Sequence, residues 1–173
     1  MKRFARRPAR IVATGAVAVG AALTLSGCVL TSPGVTYDPY AAGDGSAGSI
    51  TDPATNSTIK LENFYVVASA KGQPGSLVGA VVNTGTSNVT VQLSVADQTG
   101  GSSIGQASVA ANPGAIAQVG PAGTALTLAS VPQPPGSVLD LVAKTDGGGS
   151  VHFTVPVLAA TGQYSSLTPA AGS

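Results

Sequence analysis

Val89, Val91, Leu93 and Val95 alternate with Thr90, Gln92 and Ser94, and this period of two constrains the fold more than any other feature of the chain. Successive side chains of a strand point to opposite faces, so the segment buries one apolar face and wets the other only as a β-strand lying on a second layer. From Thr58 onward the same texture recurs as short apolar runs separated by Gly, Pro and Asn clusters, the spacing of a β-sandwich or barrel. No segment shows a convincing period of 3.6, and β-branched residues abound, so the expected class is all-β with about seven to eight short strands.

Thr58 to Ser69 is the first expected strand, with Ile59 and Leu61 on one side and Lys60 and Glu62 on the other. Its phase breaks at Asn63, where a bulge would swap the inward set. Leu77 to Val82 is an uninterrupted apolar run and reads as a central strand covered on both faces. Further strands are expected at Val89–Val95, Ile104–Ala111, Ala115–Gly120 and Thr124–Val131, the last with Leu126 and Leu128 inward. Val138–Lys144 turns Leu139 and Leu141 inward, and Val151, Phe153, Val155 and Val157 face in against outward His152 and Thr154. Pro156 places that last strand at an edge or a bulge. In the tail, 161–173, Tyr164 and Leu167 are the residues able to dock on the sandwich.

The other end of the chain reads as an address. Lys2, Arg3, Arg6, Arg7 and Arg10 precede a charge-free apolar run, Ile11 to Leu25, and Leu25-Ser26-Gly27-Cys28 has the form of a bacterial lipobox. Residues 1–27 are thus expected to be a lipoprotein signal peptide, with Cys28 lipidated by acyl groups such as palmitate. Counting through to Leu30 gives a signal anchor of about 20 residues as the alternative. Either way the basic end stays in the cytoplasm and the remainder faces outward. Arg6-Arg7 is a weak twin-arginine signal. Residues 28–57, rich in Thr, Ser, Pro, Gly, Ala and Asp, read as a flexible tether with a span of about 30 Å. The sandwich is placed at 58–160.

Once the signal is removed, Lys60, Lys71 and Lys144 face seven carboxylates, a net charge of minus four. Without a basic stripe, nucleic acid is not an expected partner. The lone cysteine, Cys28, is expected to carry lipid, so no disulfide forms within the chain.

Two motifs carry chemistry elsewhere. Gly101-Ser102-Ser103-Ile104-Gly105 matches GxSxG, which in hydrolases presents serine on a strand-to-helix turn with a histidine base. Here no helix is expected after it, and His152, the single histidine, lies on an outward phase, with Asp146 across the hairpin as its nearest carboxylate in sequence. Gly43-Asp44-Gly45-Ser46-Ala47-Gly48 matches GxGxxG, yet it lacks the flanking strand and helix that bind pyrophosphate. Asn56-Ser57-Thr58 and Asn88-Val89-Thr90 are sequons by pattern, without meaning in a bacterium. Glu62 with Asp97 or Asp140 is the available carboxylate pair, and solvated strand faces account for Glu62 and Asp140. A metal centre needs several Cys, His, Met or acidic ligands, so no metal, cofactor or catalytic residue is expected.

The lipobox, the runs Asn63-Phe64-Tyr65-Val66-Val67-Ala68 and Leu77-Val78-Gly79-Ala80-Val81-Val82-Asn83, and the strand Val151–Val157 together resemble LpqE-like lipoproteins of actinobacteria. The resemblance covers most of the chain and implies an immunoglobulin-like antiparallel sandwich and an envelope location, with no catalytic residues to carry over. A looser likeness is to periplasmic copper chaperones of similar sandwich shape. Those use Met and His, whereas here Met1 leaves with the signal and His152 stands alone. The expected role is a non-catalytic binding or scaffolding module held on the outer face of the cell membrane, with an envelope protein or ligand as partner. A degenerate metallochaperone is the alternative. The turn Lys71–Gly75 and the connection Val131–Gly136, stiffened by prolines, are the loops expected to bind.

Overall fold

The computed structural model describes residues 43–97 and 102–169. The stretch expected to be a signal peptide, with Leu25, Ser26, Gly27 and Cys28, lies outside the described residues. Nine strands follow in order: β1 (Ser46–Thr51), β2 (Thr58–Ala68), β3 (Gly75–Asn83), β4 (Val89–Ala96), β5 (Ser103–Ala111), β6 (Ile116–Val119), β7 (Leu126–Leu128), β8 (Val138–Thr145) and β9 (Ser150–Ala159). A 3-10 helix, Gly162–Leu167, comes after β9. The all-β class thus holds, with one more strand than the upper expectation. Among the described residues no helix is long and apolar enough to cross a membrane.

Hydrogen bonding runs β5-β4-β8-β9-β2-β3-β6, with β1 added to β2 and β7 to β3. β4, β5 and β8 form one layer, and β1, β2, β3, β6 and β7 the other. The layers meet in β9, which runs antiparallel to β8 from Ser150 to Pro156 and then parallel to β2 from Val157 to Ala159. The sheet is therefore mixed at this seam, where an all-antiparallel sandwich was expected. Pro156 sits at the change of partner. The Val157 N–H donates to the Ser137 carbonyl at 2.8 Å on the β8 side, so the adjacent proline turns its donorless nitrogen the other way, just before pairing with β2 begins.

The core follows from alternation. Val89, Val91, Leu93 and Val95 of β4 are each at most 2% exposed, and Leu139, Leu141, Val155 and Val157 are fully buried beside them. Each such side chain contributes about 1.5–3 kcal/mol of burial. In β2 the pairing with β3 shifts between Glu62 and Tyr65, with Asn63 at φ 53°. This is the expected bulge. Ile59 and Leu61 face the core before it, and Phe64, Val66 and Ala68 after it. Phe64 packs edge-on against Phe153, with centroids 6.4 Å apart, and presses on β3 so closely that a Cβ at Gly79 would lie 2.6 Å from its ring. That contact explains a glycine inside the apolar run of β3.

Two expectations are corrected. β3 is central in hydrogen bonding, between β2 and β6 with β7, but within its apolar run Leu77–Val82 only the inward Leu77 and Val81 are fully buried. Val78, Ala80 and Val82 on its outer face remain half-buried. The second correction concerns the stretch read as tether up to Ser57, which contributes β1. Of its six residues only Ile50 is apolar and buried, so the strand owes its existence to the open edge of β2 and leaves almost no hydrophobic period to read.

Candidate functional site

The motif residues settle into structural roles first. Ser103 begins β5 beside the irregularity between Val95 and Ala96. Its Oγ accepts from Ser94 Oγ at 2.9 Å and lies 3.2 Å from the Val95 carbonyl and 3.0 Å from that of Gly105. It stitches two strands together, and a strand follows it rather than a helix. His152 lies three strand spacings away across β8 and β4, roughly 14 Å. Its Nε2 stands 3.5 Å from Asp140 Oδ1, on a side chain that is 58% exposed. The carboxylate beside it is thus Asp140, diagonal across the β8–β9 ladder, and not Asp146, whose N–H donates to the Thr90 carbonyl.

The GxGxxG glycines serve close packing. Gly45 N–H donates to Asn63 Oδ1 at 2.8 Å, and a Cβ there would lie 2.5 Å from the Asn63 carbonyl carbon. A Cβ at Gly48 would meet the Phe153 ring at 3.1 Å. These glycines let β1 lie directly over the bulge of β2, and no phosphate-binding turn forms. Glu62 is also separate from Asp97 and Asp140, the two carboxylates weighed as its partner. Glu62 lies on the outer face of β2, Asp97 accepts from Gln133 Nε2 at 2.9 Å, and Asp140 faces His152.

A residue without sequence signal stands out instead. Asp52 is fully buried in the β1–β2 turn. Its Oδ1 accepts from the amides of Ala54 (3.1 Å) and Thr55 (2.9 Å) and from the Thr55 hydroxyl (2.9 Å), and its Oδ2 accepts from the Gly147 amide (3.1 Å). The Thr145 hydroxyl, foremost, and the Thr55 and Ala54 donors hold its carboxyl below the ordinary value, against the opposing effect of burial. Asp52 is a clasp between two turns, saturated with donors and shut off from any ligand.

The two loops expected to bind lie side by side. Gly72 N–H donates to the Val131 carbonyl at 2.7 Å, and Val131 N–H to that of Gln73 at 2.9 Å. Val131 is fully buried, so it anchors the connection, while Lys71, Gln73 and Pro74 are exposed.

Next to this loop pair the outer face of β3 carries the concave surface. A depression of about 310 Å³ is walled by Val78, Ala80, Val119, Pro121, Ala122 and Leu167, with Glu62 and Gln118 as polar rim. A second, of about 230 Å³, shares Pro121 and continues past Ser76 and Thr127 to Ser166 and Thr168. Beyond Val82, on the same face, Ile116 is 66% exposed. The tail forms the other wall. Tyr164 packs edge-on against Tyr65 at 5.6 Å, and its hydroxyl donates to the Asp44 carboxylate. Burial, and then the Asp44 charge, push the Tyr65 hydroxyl up, and the bond to Asp44 pushes up that of Tyr164, so both phenols stay neutral. The docking expected of Tyr164 and Leu167 is present. What sequence reasoning missed is that they leave the neighbouring apolar strip uncovered.

Comparison with solved structures gives several likenesses, among them two PCuAC domains. The apo PCuAC domain from PmoF1 aligns with 58% of this chain and 93% of its own length, at 19% identity and a TM-score of 0.48. The copper-bound PCuAC domain from PmoF2 aligns with 58% of this chain and 92% of its own, at 18% identity and a TM-score of 0.43. Values this low transfer no residue or ligand from those domains to this chain. No protein-family model and no curated protein matches the chain.

Proposed function

We propose that this chain is a lipid-anchored envelope protein whose sandwich is a non-catalytic binding or scaffolding module, in the manner of the LpqE-like lipoproteins that its sequence resembles. The anchor rests on Leu25-Ser26-Gly27-Cys28, and the outward-facing location follows from it. The binding role rests on one observation: the half-open apolar face of β3, Val78, Ala80 and Val82, bordered by the depressions and by exposed Ile116. A contiguous apolar patch with a polar rim is the surface a protein partner covers. Glu62 and Gln118 at the rim supply hydrogen-bonding groups that fix orientation.

A photo-reactive residue at position 116 tests this reading in intact envelope, with one at Thr154, exposed on the opposite layer, as the comparison. Reproducible adducts from position 116 alone are expected. Equal adducts from both positions, or none, would remove the binding face. Copper titration is the other arm: one equivalent bound and lost on His152→Ala would replace the module with a metal carrier.

A further inference from the structure

β5 (Ser103–Ala111) ends its sheet, and among the described residues its ladder partner is β4 alone. The direction of its backbone groups follows from one bond. Asp146 N–H donates to the Thr90 carbonyl, so Thr90 faces β8. A strand residue turns its N–H and C=O to one side and its neighbour turns them to the other, so Val89, Val91, Leu93 and Val95 face β5. Their partners Ala111, Val109, Ala107 and Gly105 bond back to them. Gln106, Ser108 and Ala110 therefore aim their N–H and C=O groups away from the sheet, and all three residues are exposed.

Sheets protect such edges with charge, proline, bulges or shortness. β5 has nine residues, none of them charged and none proline; its one irregularity falls at Ile104, near its start, and its ladder runs unbroken from Gly105 to Ala111. In the other layer the β6–β7 edge is short, with four and three residues, and β1, six residues long, carries a register shift between Ser46 and Gly48. The regular, uncharged stretch Gly105–Ala111 is a template for another strand.

We propose that β5 is a docking edge for a second copy of this chain, with the two strands pairing antiparallel about a two-fold axis at Ala107. Antiparallel pairing about Ala107 sets Gln106 opposite Ser108 on either side of the axis, and this register brings those outward-facing backbone groups together. The absence of charge in β5 means that the symmetric pairing places no like charges opposite each other. A foreign extended peptide is selected by pockets for its alternate side chains. Along this edge the side chains are Gly, Ala, Ser and Gln, and both depressions described above lie on the other layer, so the strand's own small-residue sequence is the better fit.

The test is the mass of the full chain in detergent, measured by sedimentation equilibrium over a concentration series. The wild type should shift from monomer to dimer with concentration. Ser108→Lys and Gln106→Pro should abolish the shift while leaving the β spectrum and melting curve in place, because position 106 donates no bond within the sheet. Thr154→Lys, on the same layer but away from the edge, should dimerise like the wild type. If Gln106→Pro fails to fold, Ser108→Lys alone decides. A wild type that stays monomeric, edge variants that dimerise unchanged, equal loss with Thr154→Lys, or a monomer that takes up an extended peptide at this edge would each overturn the proposal.

Discussion

The Asp52 carboxylate and the Gly147 amide, 95 residues apart, meet at 3.1 Å, and a Cβ at Gly147 would lie 2.2 Å from the same oxygen. The β8–β9 turn can therefore approach the β1–β2 turn only with glycine at this position. Gly147→Ala should lower the melting temperature, whereas Gly148→Ala, whose Cβ would have only Pro53 near it, at 4.0 Å, should cost only the strain of its φ of 95°. A smaller loss for Gly147→Ala than for Gly148→Ala would show that the clasp is loose.

Asp52 also gives the fold a pH dependence. Its folded value lies below the ordinary 3.8, so its contribution to stability is fully present above that value and is lost as pH falls through the folded one. Asp52→Asn removes this titration and sets an amide among donors. Denaturant melts should show the variant less stable at neutral pH and the gap narrowing in acid. A gap that is constant down to the lowest pH would contradict the assignment.

Two buried polar side chains near the β3–β4 loop should behave in opposite ways. Asn83 is fully buried and complete: its Nδ2 donates to the carbonyls of Ser87 (2.7 Å) and Ala111 (2.8 Å), and its Oδ1 accepts from Gly85 (2.9 Å). Asn83→Ala strands those groups and should cost about 2–3 kcal/mol in urea unfolding. Ser57 Oγ is buried with no hydrogen-bond partner among the described residues. Ser57→Ala should therefore be neutral or slightly stabilising by the same assay.

β1 sets the limits of an autonomous domain. A chain cut to 43–169 keeps Ile50 over the core and Asp52 in its clasp, and it should show a cooperative β melt. Starting instead at Thr58 uncovers β2 and the Phe153 ring beneath Gly48. That shorter chain should melt well below the longer one. Equal melting temperatures would return β1 to the status of tether.

Most of the sandwich was legible because burial on one face writes a period of two. Val89–Val95, Leu139 with Leu141, and Leu126 with Leu128 were each readable from that period, and the bulge was readable because Asn63 breaks it. β1 was not legible: it has one buried side chain, and a period needs at least two. β9's crossing between layers left only Pro156 as a trace. The outer face of β3 was misread because Val78, Ala80 and Val82 look the same in sequence whether a second layer covers them or not. Asp52 carries no local signal, since its most distant donor comes from a turn 95 residues away. The glycines at 43–48 show the converse: a nucleotide-like spacing that close packing over a bulge explains in full.

The central claim is that the outer face of β3 is where this protein meets its partner. The direct test is partner capture in crosslinked envelope by Ala80→Glu, His152→Ala and Gln73→Ala chains matched for folded abundance. Ala80→Glu places a charge in the apolar depression and should abolish capture, while His152→Ala and Gln73→Ala should retain it. Capture that survives Ala80→Glu and is lost with His152→Ala would contradict the account and direct attention to the β8–β9 face instead.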